Sequence, residues 1–240
     1  MTAHAQDVVI VTGASQGIGL ATVETFAATG RTVVAMARDA QRLADATARF
    51  GDSVVGLAGD VREETDVERV VTETIRLFGR LDVVVNAAGV SMSARTRLRD
   101  SKTAEWRRLI ETNLTGTYLM CRTCLPHLEA APNGYIVNVQ STAAFRGGVG
   151  TSLYAASKFG VRALSEAMVE EYRGTRVRIS SVSPGPVDTA IWSHKITPPS
   201  AEERARMLRA ADIAGIVRWL VESPPHLHVP DILVTPWNPS

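Results

Sequence analysis

Val8-Val9-Ile10-Val11-Thr12-Gly13-Ala14-Ser15-Gln16-Gly17-Ile18-Gly19-Leu20-Ala21 is the stretch on which the reading of this chain turns. Four β-branched residues form a strand, since their restricted χ1 suits a pleated surface. Glycines and small polar residues then make a bend, and Leu20, Ala21, Val23 and Phe26 open a helix. Glycine lets the chain turn tightly, and it lets backbone amides and the positive end of a helix approach an anion. Strand, glycine loop and helix in that order are the arrangement that holds a pyrophosphate. The predicted phosphate loop comprises Gly13, Ser15, Gln16, Gly17, Ile18 and Gly19.

Outward from this stretch, apolar β-branched runs recur at 8–11, 32–35, 53–57, 81–85, 135–139, 177–182 and 232–234. They are near-continuous rather than alternating, as in parallel strands covered on both faces. Between two of them, Val67, Val70, Val71, Thr74, Ile75 and Phe78 recur at three- and four-residue spacings, one face of a helix. Strand and helix alternate throughout. Right-handed crossovers then give a single doubly wound, three-layer α/β domain over residues 1–240, with a seven-stranded parallel sheet and a ligand crevice at the carboxyl ends of its strands.

The 240 residues are 45% hydrophobic and 21% charged, the composition of a globular protein. Their net charge of +1 gives no pull toward nucleic acid or an anionic membrane. No run reaches the roughly 20 apolar residues of a membrane span, and residues 1–6 lack the pattern of a secretory leader; the expected compartment is the cytoplasm. Cys121 and Cys124 form C-x-x-C inside a helical run at 114–128. A reactive thiol prefers a helix N-terminus and a zinc site needs further ligands, so the pair reads as small buried residues one turn apart. His226 and His228, in a proline-flanked loop, read as packed or solvated histidines, with no metal implied.

The second run ends Ala35-Met36-Ala37-Arg38. An acid there would suit the ribose hydroxyls of NAD, whereas a guanidinium can hold a 2′-phosphate by two charge-assisted bonds. Arg38 therefore points to NADP, the other reading being a solvated arginine opening the next helix. Ser141 follows the fifth run, with Tyr154 thirteen residues later and Lys158 four beyond that. Positions four apart share a helix face. An ammonium beside a phenol lowers the phenol's pKa from about 10 toward a usable range.

Together these residues resemble the short-chain dehydrogenase/reductase family along essentially the whole chain. The loop from Thr12 to Gly19 is similar to its T-G-x-x-x-G-x-G, Asn86-Ala87-Ala88-Gly89 to its N-(N/A)-A-G, and Ser141 with Tyr154-x-x-x-Lys158 to its catalytic signature. Asn113 stands where the family has a fourth catalytic residue, and Pro184-Gly185-Pro186-Val187-Asp188-Thr189 resembles the segment that caps the nicotinamide. The resemblance implies a Rossmann fold binding NADP(H). Asp60 and Val61 would flank the adenine, Asn86, Ala87 and Gly89 would support the cleft, and Pro184, Gly185, Val187 and Thr189 would lie at the nicotinamide. It also implies hydride transfer to a carbonyl, with Ser141 hydrogen-bonding the oxygen and Tyr154 protonating it. Lys158 would tune Tyr154 and hold the ribose, and Asn113 would position a relay water.

Two departures narrow this. NADP-using members often carry a second basic residue where this chain has Gln16, and the C-terminal stretch from Ser223 to Pro236 resembles the branch of 3-hydroxy acid and serine dehydrogenases and an antibiotic-pathway aldehyde reductase. Three readings follow: an NADPH-dependent aldehyde or ketone reductase, an NADP-dependent 3-hydroxy acid or alcohol dehydrogenase, and a non-catalytic NADP-binding regulator. The intact Asn113, Ser141, Tyr154 and Lys158 speak against the third.

The long segment from Pro184 to about Ala201 reads as a substrate lid. Met92, Phe145, Ile191 and Trp192 would form an apolar wall for a small carbonyl or alcohol substrate. Arg146 or Lys195 would meet a carboxylate, or would be solvated like His194. The basic residues of 93–108, Arg95, Arg97, Arg99, Lys102, Arg107 and Arg108, read as a solvated helix entrance or as a dock for an anionic carrier. By the same resemblance the expected assembly is a homotetramer or homodimer built on the helices at 113–128 and 154–172.

Overall fold

The computed structural model describes residues 7–237; residues 1–6, read above for a leader, lie outside the described residues. Seven strands form one parallel sheet in the order β3-β2-β1-β4-β5-β6-β9. They are β1 (Val8–Thr12), β2 (Thr32–Ala37), β3 (Val54–Ala58), β4 (Val83–Asn86), β5 (Tyr135–Val139), β6 (Arg178–Pro184) and β9 (Asp231–Val234). Two short strands, β7 (Val187–Asp188) and β8 (Leu208–Arg209), pair with each other outside it. The doubly wound architecture expected from the apolar runs is present, with every sheet strand parallel to its neighbours.

The alternation hidden in those runs sorts the core into two halves. Val9, Val11, Val33, Ala35, Val83 and Val85 face one side. They pack there against α1 (Gly17–Ala27), α2 (Ala40–Thr47) and α8 (Ala210–Glu222), which supply Val23, Phe26, Leu43, Ile213, Val217 and Leu220. Ile10, Val34, Val84, Ile136 and Ile179 face the other, against α3 (Glu64–Phe78), α5 (Gly116–Ala130) and α6 (Ser152–Glu171). A period-two pattern with both faces covered leaves no polar face, which is why the runs look continuous. Helix α3 shows how local signals agree: Glu64 and Asp66 sit at its positive end, Arg76 at its negative end, and Gly79 takes the left-handed cap at φ 69°.

Helix α4 (Thr103–Leu109) runs into α5 through a π-turn, Ile110–Thr115, where the sequence reading had a helix beginning only at 114. Cys121 and Cys124 are buried on α5, and burial pushes the Cys121 thiol up to about 12. The pair is therefore packed and inert, as the spacing inside a helix implied.

Polar groups stitch the middle of the sheet. The Thr12 hydroxyl, 1% exposed, accepts from the amides of Ala87 (3.1 Å) and Ala88 (3.0 Å), joining the ends of β1 and β4. Asn86 does not reach the cleft: its Nδ2 donates to Asn138 Oδ1 (2.9 Å) and to the Cys121 sulfur. Asn138 Nδ2 in turn donates to Ser165 Oγ on α6 (2.9 Å). Asn86 thus supports the site from beneath rather than lining it, because its side chain falls on the sheet face that α5 covers. Replacing Asn138 by Ala leaves the buried Asn86 amide and Ser165 hydroxyl short of partners, at about 2 kcal/mol. Equilibrium urea unfolding of Asn138→Ala should show a lower midpoint with an unchanged m-value; a midpoint equal to wild type would show that the network contributes nothing to stability.

Candidate active site

At the carboxyl edge of the sheet two clefts, of about 500 and 430 Å³, share Ile18, Ala87, Gly89, Val90, Thr189 and Ile191 as common wall and so form one trough. It crosses the sheet between β1 and β4, where the strand order reverses and such folds place their ligands.

The larger half contains the predicted phosphate loop: Gly13, Ser15, Gln16, Gly17, Ile18 and Gly19 all line it, and α1 opens there. Gly13 and Gly17 have φ of 66° and 56°, open to glycine and strained for other residues. A Cβ on Gly19 would sit 2.3 Å from the Gly13 carbonyl oxygen, so the bend exists only because that position is bare. Thr189 packs on Gly17 at 3.3 Å from where a Cβ would stand, bringing the segment after β6 against the loop.

Arg38, Asp60 and Val61 line the far end of this half, as expected. The Asp60 carboxylate is committed to Arg62, whose Nη2 and Nε donate at 2.6 and 3.0 Å. Burial works against its charge, but the Arg62 bonds and the nearby guanidiniums of Arg62 and Arg38 hold it below the usual carboxylate range. One residue was missed from sequence: Arg42, in the first turn of α2, lines the same wall and donates to Gln16 Oε1 (3.2 Å). The visible signal was a second arginine four positions after Arg38. A basic group therefore stands beside Gln16 through space, where the sequence offered none next to it in the chain.

The smaller half gathers Ser141, Tyr154, Lys158, Pro184, Gly185, Val187, Thr189, Ile191, Trp192 and Met92. Ser141 follows β5 and caps a short 3-10 turn, while Tyr154 and Lys158 lie on adjacent turns of α6. The Ser141 and Tyr154 side chains are hydrogen-bonded. Lys158, 5% exposed, donates from Nζ to the Val139 carbonyl (3.2 Å), and its nitrogen is 6.0 Å from the Tyr154 ring centroid.

Lys158 does not depress Tyr154 as expected from spacing alone. Burial raises the Tyr154 pKa against the lowering effect of the Ser141 bond, because the ammonium is aimed past the ring at Val139. The phenol therefore stays protonated at neutral pH, the form a proton donor needs.

Asn113 is 1% exposed and lies behind the cleft wall. Its Oδ1 accepts from Val90 N (2.8 Å), and its Nδ2 donates to Val90 O (3.0 Å) and Ser157 Oγ (3.0 Å). Its side chain thus clamps the loop after β4 to α6, so the water-holding role expected of Asn113 falls to its remaining lone pairs and backbone. Phe145 does not join the apolar wall. It stands on the outer surface, 37% exposed, with the Arg162 guanidinium 4.1 Å from its ring.

The lid expectation is met by an ordered segment. Ala190–Trp192 forms a 3-10 turn, and Trp192 Nε1 donates to Val187 O (2.8 Å). Lys195 Nζ donates to Ser91 Oγ (3.0 Å) and to the Met92 carbonyl, and Ile196 N donates to Ser93 O (3.0 Å). The segment is thereby fastened across the trough to the stretch after β4.

Residues 7–199 match the short chain dehydrogenase family, and this chain belongs to it. An uncharacterized oxidoreductase of Staphylococcus saprophyticus is 32% identical over 233 residues, covering 95% of this chain and 97% of the relative. Among solved structures, a closed form of serine dehydrogenase complexed with NADP+ is 26% identical with a TM-score of 0.88, covering 94% of this chain and 93% of the other. A 3-ketoacyl-(acyl-carrier-protein) reductase from Brucella melitensis complexed with NADH, at 24% identity and TM-score 0.86 over 95% and 96% of the two chains, shares the fold. The chain is thus an oxidoreductase with the trough of a nicotinamide dinucleotide, and among the described residues no helix is long and apolar enough to cross a membrane.

Burial brings the Lys158 ammonium down to about 8, against 10.5 for an unfolded lysine. Between these values the unfolded chain binds a proton that the folded one has released, so stability rises with pH across that window, and below 8 the full penalty applies. Lys158→Met should therefore be more stable than wild type at pH 7, by roughly 2 kcal/mol. The gain should disappear by about pH 10.5. Urea unfolding at the two pH values checks this; a pH-independent difference would mean that Lys158 carries no burial penalty.

Proposed function

We propose that this protein is an NADPH-dependent reductase of small aldehydes or ketones, with Ser141, Tyr154 and Lys158 as its chemical groups. The observation that carries the reading is the Ser141–Tyr154 hydrogen bond beside buried Lys158, in the half of the trough farthest from Arg38. A dinucleotide fits: bare Gly19 leaves the bend open, α1 points its positive end into the trough, and the two halves share a wall.

When bound, the nicotinamide supplies the hydrogen and two electrons that the carbonyl carbon takes up. Ser141 and Tyr154 direct hydroxyls at the carbonyl oxygen and stabilise the charge that grows there. Tyr154, held protonated by burial, gives its proton to that oxygen. Lys158 stays charged below about pH 8 and places that charge next to the reacting oxygen and the ribose. Asn113 keeps the loop after β4 and α6 in register. Oxidation of an alcohol through the same groups requires Tyr154 as phenolate, which its raised pKa disfavours at neutral pH. Arg38 and Arg42 favour the phosphorylated cofactor, and the NADP+ bound by the serine dehydrogenase relative supports the same choice. Assembly into dimers or tetramers is proposed through α5 and α6, where Tyr118 and Phe159 are exposed.

A spectrophotometric screen of carbonyls with NADPH and NADH tests the reading, with Tyr154→Phe as its control. That variant should keep NADPH binding and lose about 10²- to 10⁴-fold in turnover. Near wild-type turnover would move proton delivery to another group.

For the cofactor, Arg38→Ala should weaken NADPH on the order of a hundredfold, and Arg42→Ala about tenfold, leaving NADH unchanged in fluorescence titrations. Parallel losses for both cofactors would make these arginines structural.

A further inference from the structure

The chemical half of the trough has four cationic side chains in its wall, Arg95, Arg146, Lys158 and Lys195, and not one carboxylate. Lys158 belongs to the chemistry. The other three need a separate account, because protein surfaces normally intersperse charges of both signs. Arg95 and Arg146 are exposed at the rim, and neither has an ion-pair partner among the described residues.

Lys195 is the anchored member. Two of its three donors go to Ser91 Oγ and the Met92 carbonyl, and the third is left over the mouth. Burial first, and then the charges of Arg95 and Arg108, draw its pKa below that of an ordinary lysine, with only Glu105 opposing them. Glu105 is already engaged, accepting from the Ser93 amide (3.1 Å) and lying 3.7 Å from Arg108. Positive charge at this mouth is therefore crowded and under-compensated.

Two further observations point the same way. The N-terminus of α6 opens here, with Gly147, Gly148 and Thr151 in the wall. Thr151 bonds back to Gly148 and gives no cap bond to the first-turn amides, so the positive end of a 20-residue helix is bare. The cofactor has no claim on these groups either. Arg95, Arg146 and Lys195 line only the chemical half, whereas the phosphate-loop half has its own cations in Arg38 and Arg42.

We propose that the substrate is a short oxo acid, whose carboxylate is held by Lys195 with Arg95 and Arg146 at the rim, while Met92, Ile191 and Trp192 line its carbon chain. The inference rests on the reading of Ser141, Tyr154 and Lys158 given above. A carboxylate is chosen over a bulkier anion because the 430 Å³ cleft has to admit the nicotinamide as well. The carbonyl takes one hydrogen with two electrons from the nicotinamide and one proton from Tyr154, becoming an alcohol. The carboxylate keeps its atoms and charge throughout, so the product is the hydroxy acid.

The test compares 3-oxobutanoate with its methyl ester, which differ in that charge. The acid should have a KM lower by on the order of 10- to 100-fold, rising with ionic strength, and Lys195→Met should abolish most of the difference without harming the ester. Arg146→Met, at an exposed position, should raise the acid's KM by less and flatten its salt dependence. Calorimetry of butanoate binding to NADP+-loaded Tyr154→Phe protein reads the same contact without turnover, and Lys195→Met should weaken it. Equal KM for acid and ester overturns the proposal, as does a Lys195→Met effect on both alike with none from Arg146→Met. Preference for dihydroxyacetone phosphate over 3-oxobutanoate overturns the carboxylate assignment. Reduction of neutral ketones with no acid accepted defeats this inference alone, whereas no turnover of any carbonyl defeats the reading of the site and this inference with it.

Discussion

One hydroxyl holds the two halves of this molecule at the place where they part. Beyond β1 the sheet runs outward to β2 and β3 on one side, and to β4, β5 and β6 on the other. The strand ends diverge there, and that divergence creates the trough. Thr12, accepting from the amides of Ala87 and Ala88, fixes how far the β1 and β4 ends stand apart. Everything downstream inherits that spacing: the glycine bend follows Thr12 directly, and the clamped Val90 loop follows Ala88 directly.

From that fixed point the site is assembled by short tethers between elements distant in the chain. Asn113 binds Val90 and Ser157, Asn138 binds Asn86 and Ser165, and Lys158 binds Val139. Each tether joins α6, which carries Tyr154 and Lys158, to the loop or strands beside it. Buried polar pairs of this kind add little net stability, yet they are expensive to break, and so they favour one arrangement over its neighbours. The raised Tyr154 pKa belongs to the same design: a rigid, dry pocket keeps the proton where a donor needs it.

The sheet and the phosphate loop were readable because their causes are local. A run of β-branched residues is a strand wherever it lies, and Gly13, Gly17 and Gly19 announce a bend that side chains would block. The misreadings all concern direction. Phe145 turns to Arg162, seventeen residues later in the chain, and Asn86 falls on the face covered by α5. Arg42 reaches Gln16 only once the phase of α2 is known. Spacing placed Lys158 beside Tyr154 correctly but left its nitrogen's target, the Val139 carbonyl, unseen. The π-turn around Asn113 left no mark on the hydrophobic period, because one extra residue per turn is absorbed within six positions.

The fastening of the lid separates what the molecule recognises from what it transforms. Ser91, Met92, Arg95, Arg146, Ile191, Trp192 and Lys195 come from three irregular segments, while the reacting groups are held by strand ends and a long helix. Irregular segments tolerate substitution and changes in length far better than packed elements do. Selection for a new substrate can therefore act on the rim while leaving the core that sets the proton and the cofactor undisturbed. Chains that share this framework are then free to diverge in diet while keeping the same chemistry, and the rim is the part of the sequence in which such histories are written.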